Sequence, residues 1–228
     1  MMPGAGRVLM MAEMHGRDLT RRHVALGMLV ALPLCFYLAS MGAGPEAIVA
    51  GGVGMAFSVS GATLFSVLSS TEVDQRLVLG GYRPLDLLLG RLCFLGLLGL
   101  AIGGGFSLLM VTVSHPARPW LTFVGVGAVA LESIAFGLAV GAALPRELEG
   151  TLLLIGVVGM QLAVDPDSAV SKVLPFHGPQ ELIYSSLDTT GPIAAPLALT
   201  AAYGLALMVA ARVLMTNRVD VVRHGEIR

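Results

Sequence analysis

Long apolar runs alternate with short polar breaks along this chain, and the runs lack the period-2 alternation of barrel strands. Six runs stand out, at 24–41, 47–69, 92–113, 119–143, 150–164 and 192–215. A helix needs about 20 apolar residues to cross roughly 30 Å of hydrocarbon. Backbone polar groups in lipid must be satisfied within the spanning element. The pattern therefore predicts an all-α integral membrane protein, one domain over 1–228 with six transmembrane helices.

The breaks are unequal. Residues 6–22, GRVLMMAEMHGRDLTRR, carry Val8, Met11, Ala12 and Leu19 near one helical face and Glu13, Arg17, Thr20 and Arg21 on the other. Glu13 with Arg17 and Asp18 with Arg22 are supporting i,i+4 pairs. An amphipathic helix lying in the membrane interface fits this pattern. The fifth run reaches only about 22 Å at 1.5 Å per residue. It is followed by 165–191, DPDSAVSKVLPFHGPQELIYSSLDTTG, where two half-apolar stretches flank a Pro-Phe-His-Gly-Pro turn. A re-entrant segment of two short helices before the last span is the expectation, since such backbone is tolerated at membrane depth only under cover of protein or a water-filled cavity.

Composition agrees with the pattern: 55% hydrophobic residues, 13% charged residues and a mean hydropathy of +0.82 exclude a soluble globular domain. Of the 14 Lys and Arg residues, only Arg118 and Lys172 fall on the outer side when the N-terminus is cytoplasmic. The positive-inside rule then puts both termini and the 71–91 break in the cytoplasm of a multi-pass cell-membrane protein. No A-x-A-like cleavage site follows the first run, so a signal peptide is not expected. Small residues at Gly99 and Gly103, Gly137 and Gly141, and Ala50 and Gly54 predict close helix packing within the chain. Cys35 and Cys93 fall at different membrane depths, which excludes a disulfide and suggests packing roles.

Lys172 is the only lysine, so no phosphate-binding loop with its Gly-Lys pair is present. The five histidines are scattered and form no metal-ligand spacing. Glu132, in VGAVALESIAFGLAVG, is the one ionisable residue near the middle of a span. A carboxylate there faces the bundle interior or a cavity. It either lines a polar translocation route or is a protonated group hydrogen-bonded to a neighbouring helix.

The break STEVDQRLVLGGYRPLDLLLGRL concentrates charge. Thr71–Leu79 should form a short helix with a Ser/Thr cap and acids in its first turn, ending at Gly80-Gly81. Pro84 suits the first position of the next helix. Such a helix presents Glu72, Asp74, Gln75 and Arg76 to another protein.

Taken together, an amphipathic N-terminal helix, two spans, this connector with GYRPLDLLLGRL, two more spans, PRELEG, a short fifth span, the outer LPFHGPQELIYSSLD and a last span resemble the membrane subunit of ABC-2 type exporters. The likeness covers nearly the whole chain. Pro84 and Gly90-Arg91 match the family's connector motif, and Pro175, Phe176, His177 and Gly178 its outer Pro-aromatic turn. The resemblance implies a permease that forms a homodimer, or a heterodimer with a related permease, in the lipid bilayer. It would dock on a separate ABC ATPase through the coupling segment 71–91, with Glu72, Asp74, Gln75, Arg76 and Arg83 at the contact and the helix bearing Glu13, Arg17 and Arg21 along the interface. The chain itself would hold no cofactor and catalyse nothing, ATP and Mg belonging to the partner, and no nucleic acid is implied. A hydrophobic drug-like or lipid-like cargo suits a chain with one Trp and four Tyr. A non-transporting assembly subunit and an ATP-independent secondary transporter are the alternatives; the latter calls for inverted repeats, which the sequence lacks.

Overall fold

The computed structural model describes residues 4–21, 23–144, 146–166 and 168–225, and among them every regular element is helical. In chain order these are α1 (Gly4–Arg21), α2 (His23–Ala39), a 3-10 turn (Met41–Glu46), α3 (Ala47–Ser69), α4 (Thr71–Leu79), α5 (Pro84–Ser114), α6 (Pro119–Ala143), α7 (Glu147–Ala163), α8 (Ala169–Val173), α9 (His177–Leu187) and α10 (Ala194–Gly225). Among the described residues, four helical stretches are long and apolar enough to cross a membrane: Met41–Ser69, Pro84–Ser114, Pro119–Ala143 and Ala194–Asn217. The protein is therefore a helical membrane protein. α2 and α7, with 17 residues each, are shorter.

Glycines determine which helices meet. A Cβ on Gly137 of α6 would stand 2.5 Å from the Ser60 carbonyl of α3, and one on Gly141 would stand 2.9 Å from Val67. α3 and α6 can thus lie backbone to backbone, and they form the buried centre of the bundle. Gly54 lets α2 press on α3 from another side, its Cβ position lying 2.8 Å from Pro33. Gly99 and Gly103 seat α5 against Ala130, Ile134 and Val126 of α6. The small residues serve packing within the chain, as the sequence suggests.

α5 extends the predicted span 92–113 back to Pro84, the expected first helical position. It starts at Pro84, because the proline occupies the first helical position and the Arg83 N–H donates to Asp86 Oδ2 at 3.4 Å. The second half of the predicted coupling segment is thereby the first two turns of a 31-residue helix. α10 likewise runs beyond the predicted 215, to Gly225. Cys35 and Cys93 are both exposed on the outside of the bundle, so the expected packing role is corrected for both.

The bundle has two distinct ends. At the far end, away from α4, Tyr37 of α2 and Ser114 of α5 share a 2.7 Å hydrogen bond. Arg118 donates from its backbone to the Ser186 carbonyl and from its side chain to that of Gly191. α9 enters this end against α6 and α10. Ile183 fills the notches at Gly52 of α3 and Gly125 of α6, and Gly178 lies against Pro196 and Thr200 of α10. The predicted turn is shorter than expected, because His177, Gly178 and Pro179 already belong to the first turn of α9.

Candidate functional site

The connector follows α3 with hardly a break. The Ser70 carbonyl accepts from the Asp74 N–H at 2.8 Å, so α4 begins at once. The Ser70 hydroxyl makes no helix cap, contrary to expectation; it donates back to the Ser66 carbonyl at 2.7 Å and accepts from Arg91. Termination matches the glycine signal. Gly81 N–H bonds Val78 O and Tyr82 N–H bonds Leu77 O, each at 3.0 Å, and Gly81 has φ +93°. This paired 5→2 and 6→1 arrangement needs a left-handed residue at the Gly81 position. Tyr82 and Leu77 then pack together against a small core of Met11, Val78 and Leu87.

Two arginines lock this connector in place. Arg91, on the second turn of α5 and wholly buried, donates to Asp74 Oδ2 at 2.9 Å and to Ser70. Its Nε and Nη1 have no hydrogen-bond partner among the described residues. Arg7 of α1 donates to the Gly81 carbonyl at 3.2 Å, lies 3.8 Å from Asp86 and stands over the Tyr82 ring at 5.5 Å. α1 can approach because position 90 is glycine: a Cβ there would be 2.5 Å from that of Met11. α1, α4 and the start of α5 are one packed unit.

The predicted contact residues divide on this geometry. Glu72, Arg76 and Arg83 are exposed, and Gln75 is half-buried. Asp74 turns inward to Arg91, so its place in an outward contact is corrected: it holds the connector rather than presenting it. Burial pushes the Asp74 carboxyl above its ordinary 3.8, and the Arg91 charge and hydrogen bond pull the other way without prevailing. Val73 and Leu79, exposed on α4, join the charged residues in a mixed surface. On α1 the Glu13–Arg17 pair forms at 2.5 Å on the exposed face. The Arg21 side chain and the Asp18–Arg22 pair lie outside the described residues. The buried face of α1 meets α5 and the connector, where Met11 and His15 point inward.

Glu132 is buried, as expected, but neither carboxylate oxygen has a hydrogen-bond partner among the described residues. The expected bond to a neighbouring helix is absent there. One turn on, Phe136 meets Phe176 edge to face at 5.6 Å, which joins α6 to the outer Pro175-Phe176-His177 turn. His177 shares a 3.0 Å hydrogen bond with Ser171 and lies 3.5 Å from Glu181. Gln161, at the far end of α7, donates to Gln180 at 2.9 Å and to Ser171 at 3.5 Å. Sequence reasoning did not find this buried cluster, although a lone glutamine in the apolar VVGMQLA was a usable signal. The described residues contain no group of His, Cys, Asp and Glu that could hold a metal. No family model matches the chain, and no curated protein matches it.

Proposed function

We propose that this chain is the permease subunit of an ATP-driven exporter, carrying a hydrophobic, lipid-like or drug-like cargo out of the cytoplasm or inner leaflet while a separate ABC ATPase hydrolyses ATP. The observation that carries this reading is the connector: a nine-residue helix pinned from two sides, exposing Glu72, Val73, Arg76 and Leu79, with Arg83 just beyond it. A flexible loop would absorb a push from a partner. This helix would pass it directly to α5 through Arg91 and to α1 through Arg7. Its mixture of apolar and charged side chains is the composition of a protein contact rather than of a solvated turn.

The six-crossing architecture belongs to the same proposal. Met28 of α2 lines one cavity with Ser69 and Ser70, and Tyr37 bonds Ser114 at the far end, which supports a crossing by α2. α7 starts beside Leu64, near the connector end of α3, and finishes where Gln161 meets α8 and α9. Each has 17 residues, about 26 Å at 1.5 Å per residue, enough with modest thinning of the bilayer. α9, whose Ile183 reaches Gly52 and Gly125 inside the starts of α3 and α6, fits a re-entrant element roughly 9 Å deep. Twofold pairing with a second permease completes the reading, with the connector and both termini cytoplasmic.

Site-directed cross-linking tests the docking. With a cysteine at Arg76 and the native cysteines replaced, the chain should cross-link to a co-produced ABC ATPase from the same operon. A cysteine at Thr189, at the far end, should not. Equal cross-linking from both positions, or none from Arg76, removes the connector from any such contact.

A further inference from the structure

α2 leans on α3 at Gly54 and α5 leans on α6 at Gly99 and Gly103, so α2 and α5 diverge across a face of α3. Between them lies a cavity of about 580 Å³, within the range of pockets that enclose a small amphiphile. Its walls are Met28 and Leu32 of α2, Phe57 and Phe65 of α3, and Phe94 of α5, and α1 closes its connector end with Met14 and His15. A separate cavity of about 330 Å³ lies nearer the far end, between Pro33 and Leu34 of α2 and Ile102 and Phe106 of α5. The α5 residues that line the two cavities, from Phe94 to Leu109, are spread over roughly 22 Å of that helix.

The polarity of this groove has a direction. At the connector end, Ser66, Ser69 and Ser70 succeed one another along α3, and the side chains of Ser66 and Ser69 make no hydrogen bond to another described residue. Ser70 receives a hydrogen bond from the buried guanidinium of Arg91, whose Nε and Nη1 have no partner among the described residues. Asp74 is the acid facing that guanidinium, and one of its oxygens, Oδ1, also has no hydrogen-bond partner among the described residues. The hydroxyls of Ser66 and Ser69 sit where α3 leaves the apolar layer, and a slot lined by hydrocarbon leads away from them. α3 and α5 are both long and apolar enough to cross a membrane, so in a bilayer this slot would open beside lipid.

We propose that the α2–α5 groove binds one long-chain amphiphile of the bilayer, its acidic or acceptor-bearing head at Ser66 and Ser69 and its single hydrocarbon chain along α2 and α5. That this amphiphile is the exporter's cargo rests on the function proposed above; the binding does not. Gly61, on the floor of the cavity, has nothing within 4 Å of the position its Cβ would take. A phenylalanine there would start into open space and occupy the cavity.

The test uses the full chain in nanodiscs of uncharged lipid, without any ATPase. The probe is palmitic acid carrying a diazirine in its chain, and adducts are mapped by mass spectrometry after photolysis. Labelling should saturate, concentrate on Leu32, Phe57 and Phe94, and fall with excess unlabelled palmitic acid. Gly61→Phe should reduce it about tenfold or more, whereas the same change at Gly204, which is also open and lies on α10, should not. Joint Ser66→Ala and Ser69→Ala should weaken competition by palmitic acid roughly 3- to 10-fold, as loss of one or two hydrogen bonds predicts. Labelling that does not saturate, or that spreads equally over Leu205 and Val209 of α10, would show bulk lipid contact and overturn the proposal. So would unchanged labelling of a normally folded Gly61→Phe. A saturable groove in a chain that fails to dock any ATPase would sink the exporter reading and leave the binding site standing.

Discussion

Arg91 and Glu132 are two buried charges that the fold treats differently. Arg91 has Asp74, so removing the guanidinium by Arg91→Met strands a mostly buried carboxylate. The cost should be on the order of 3–5 kcal/mol, read as a lower melting temperature in detergent. Burial raises the Asp74 pKa above 3.8, so between that value and the raised one the folded chain binds more protons than the unfolded chain. Stability from this group is therefore greatest at low pH and declines as pH rises through the raised pKa. Asp74→Asn should flatten that part of a melting curve taken from about pH 4 upward; an unaltered profile would show that Asp74 is not the titrating group. Glu132 has no such partner among the described residues. Replacing an unsatisfied buried polar group removes a penalty of about 1–3 kcal/mol, so Glu132→Leu should be at least as stable as Glu132→Gln. Lower stability of the Leu variant would mean that the carboxyl is hydrogen-bonded after all. The residue-scale sequence reading located Glu132 from its apolar context alone. It could not find Arg91 as the partner of Asp74, because the two are 17 residues apart and only the turn at Gly81 brings them together.

Helices were more legible than their contacts. The connector helix was readable to its last residue, since Gly80-Gly81 and Pro84 act locally and strongly. The start of α5 was readable too, from Pro84, but its first two turns read as part of a charged connector rather than as packed helix, because Asp86 and Arg91 gain their partners Arg7, Asp74 and Ser70 only in the folded bundle. The faces of α1 were read correctly, Met11 inward and Glu13 and Arg17 outward, but not what the apolar one meets, because an amphipathic pattern looks the same whether that side meets lipid or meets α5. Gly90 was the overlooked sign, marking where a backbone comes close. Helix packing makes a sharp contrast between glycines. Gly137→Ala places a methyl 2.5 Å from the Ser60 carbonyl and should cost roughly 1–3 kcal/mol. Gly104→Ala meets nothing within 4 Å and should be neutral or slightly stabilising. Equal melting temperatures for the two variants would contradict the close α3–α6 contact.

At the scale of the molecule, hydropathy established the class, and four helices are long enough to span a membrane. The roles of α2 and α7 depend on their position between the two ends rather than on length. If both cross, Thr189 and Glu72, each exposed, face opposite sides of the membrane. If neither crosses, α3, α5, α6 and α10 alone put the two residues on the same side. Single cysteines at these positions, with Cys35 and Cys93 replaced, should give impermeant thiol labelling of intact cells at Thr189 alone. Labelling at both, or at Glu72 alone, would contradict the proposed topology. Ser185 is unsuitable as a probe because it is 5% exposed in the bundle. The central claim, that the connector transmits work from an ATPase, is tested most directly by ATP hydrolysis in proteoliposomes holding this chain and a co-produced ABC ATPase. The account predicts that the native chain changes the ATPase rate, that Glu72→Lys with Arg76→Glu abolishes the change while the bundle keeps its melting temperature, and that Asp74→Asn weakens it only partly. An ATPase rate that is the same with the native chain, with the double variant and with no chain present would contradict it.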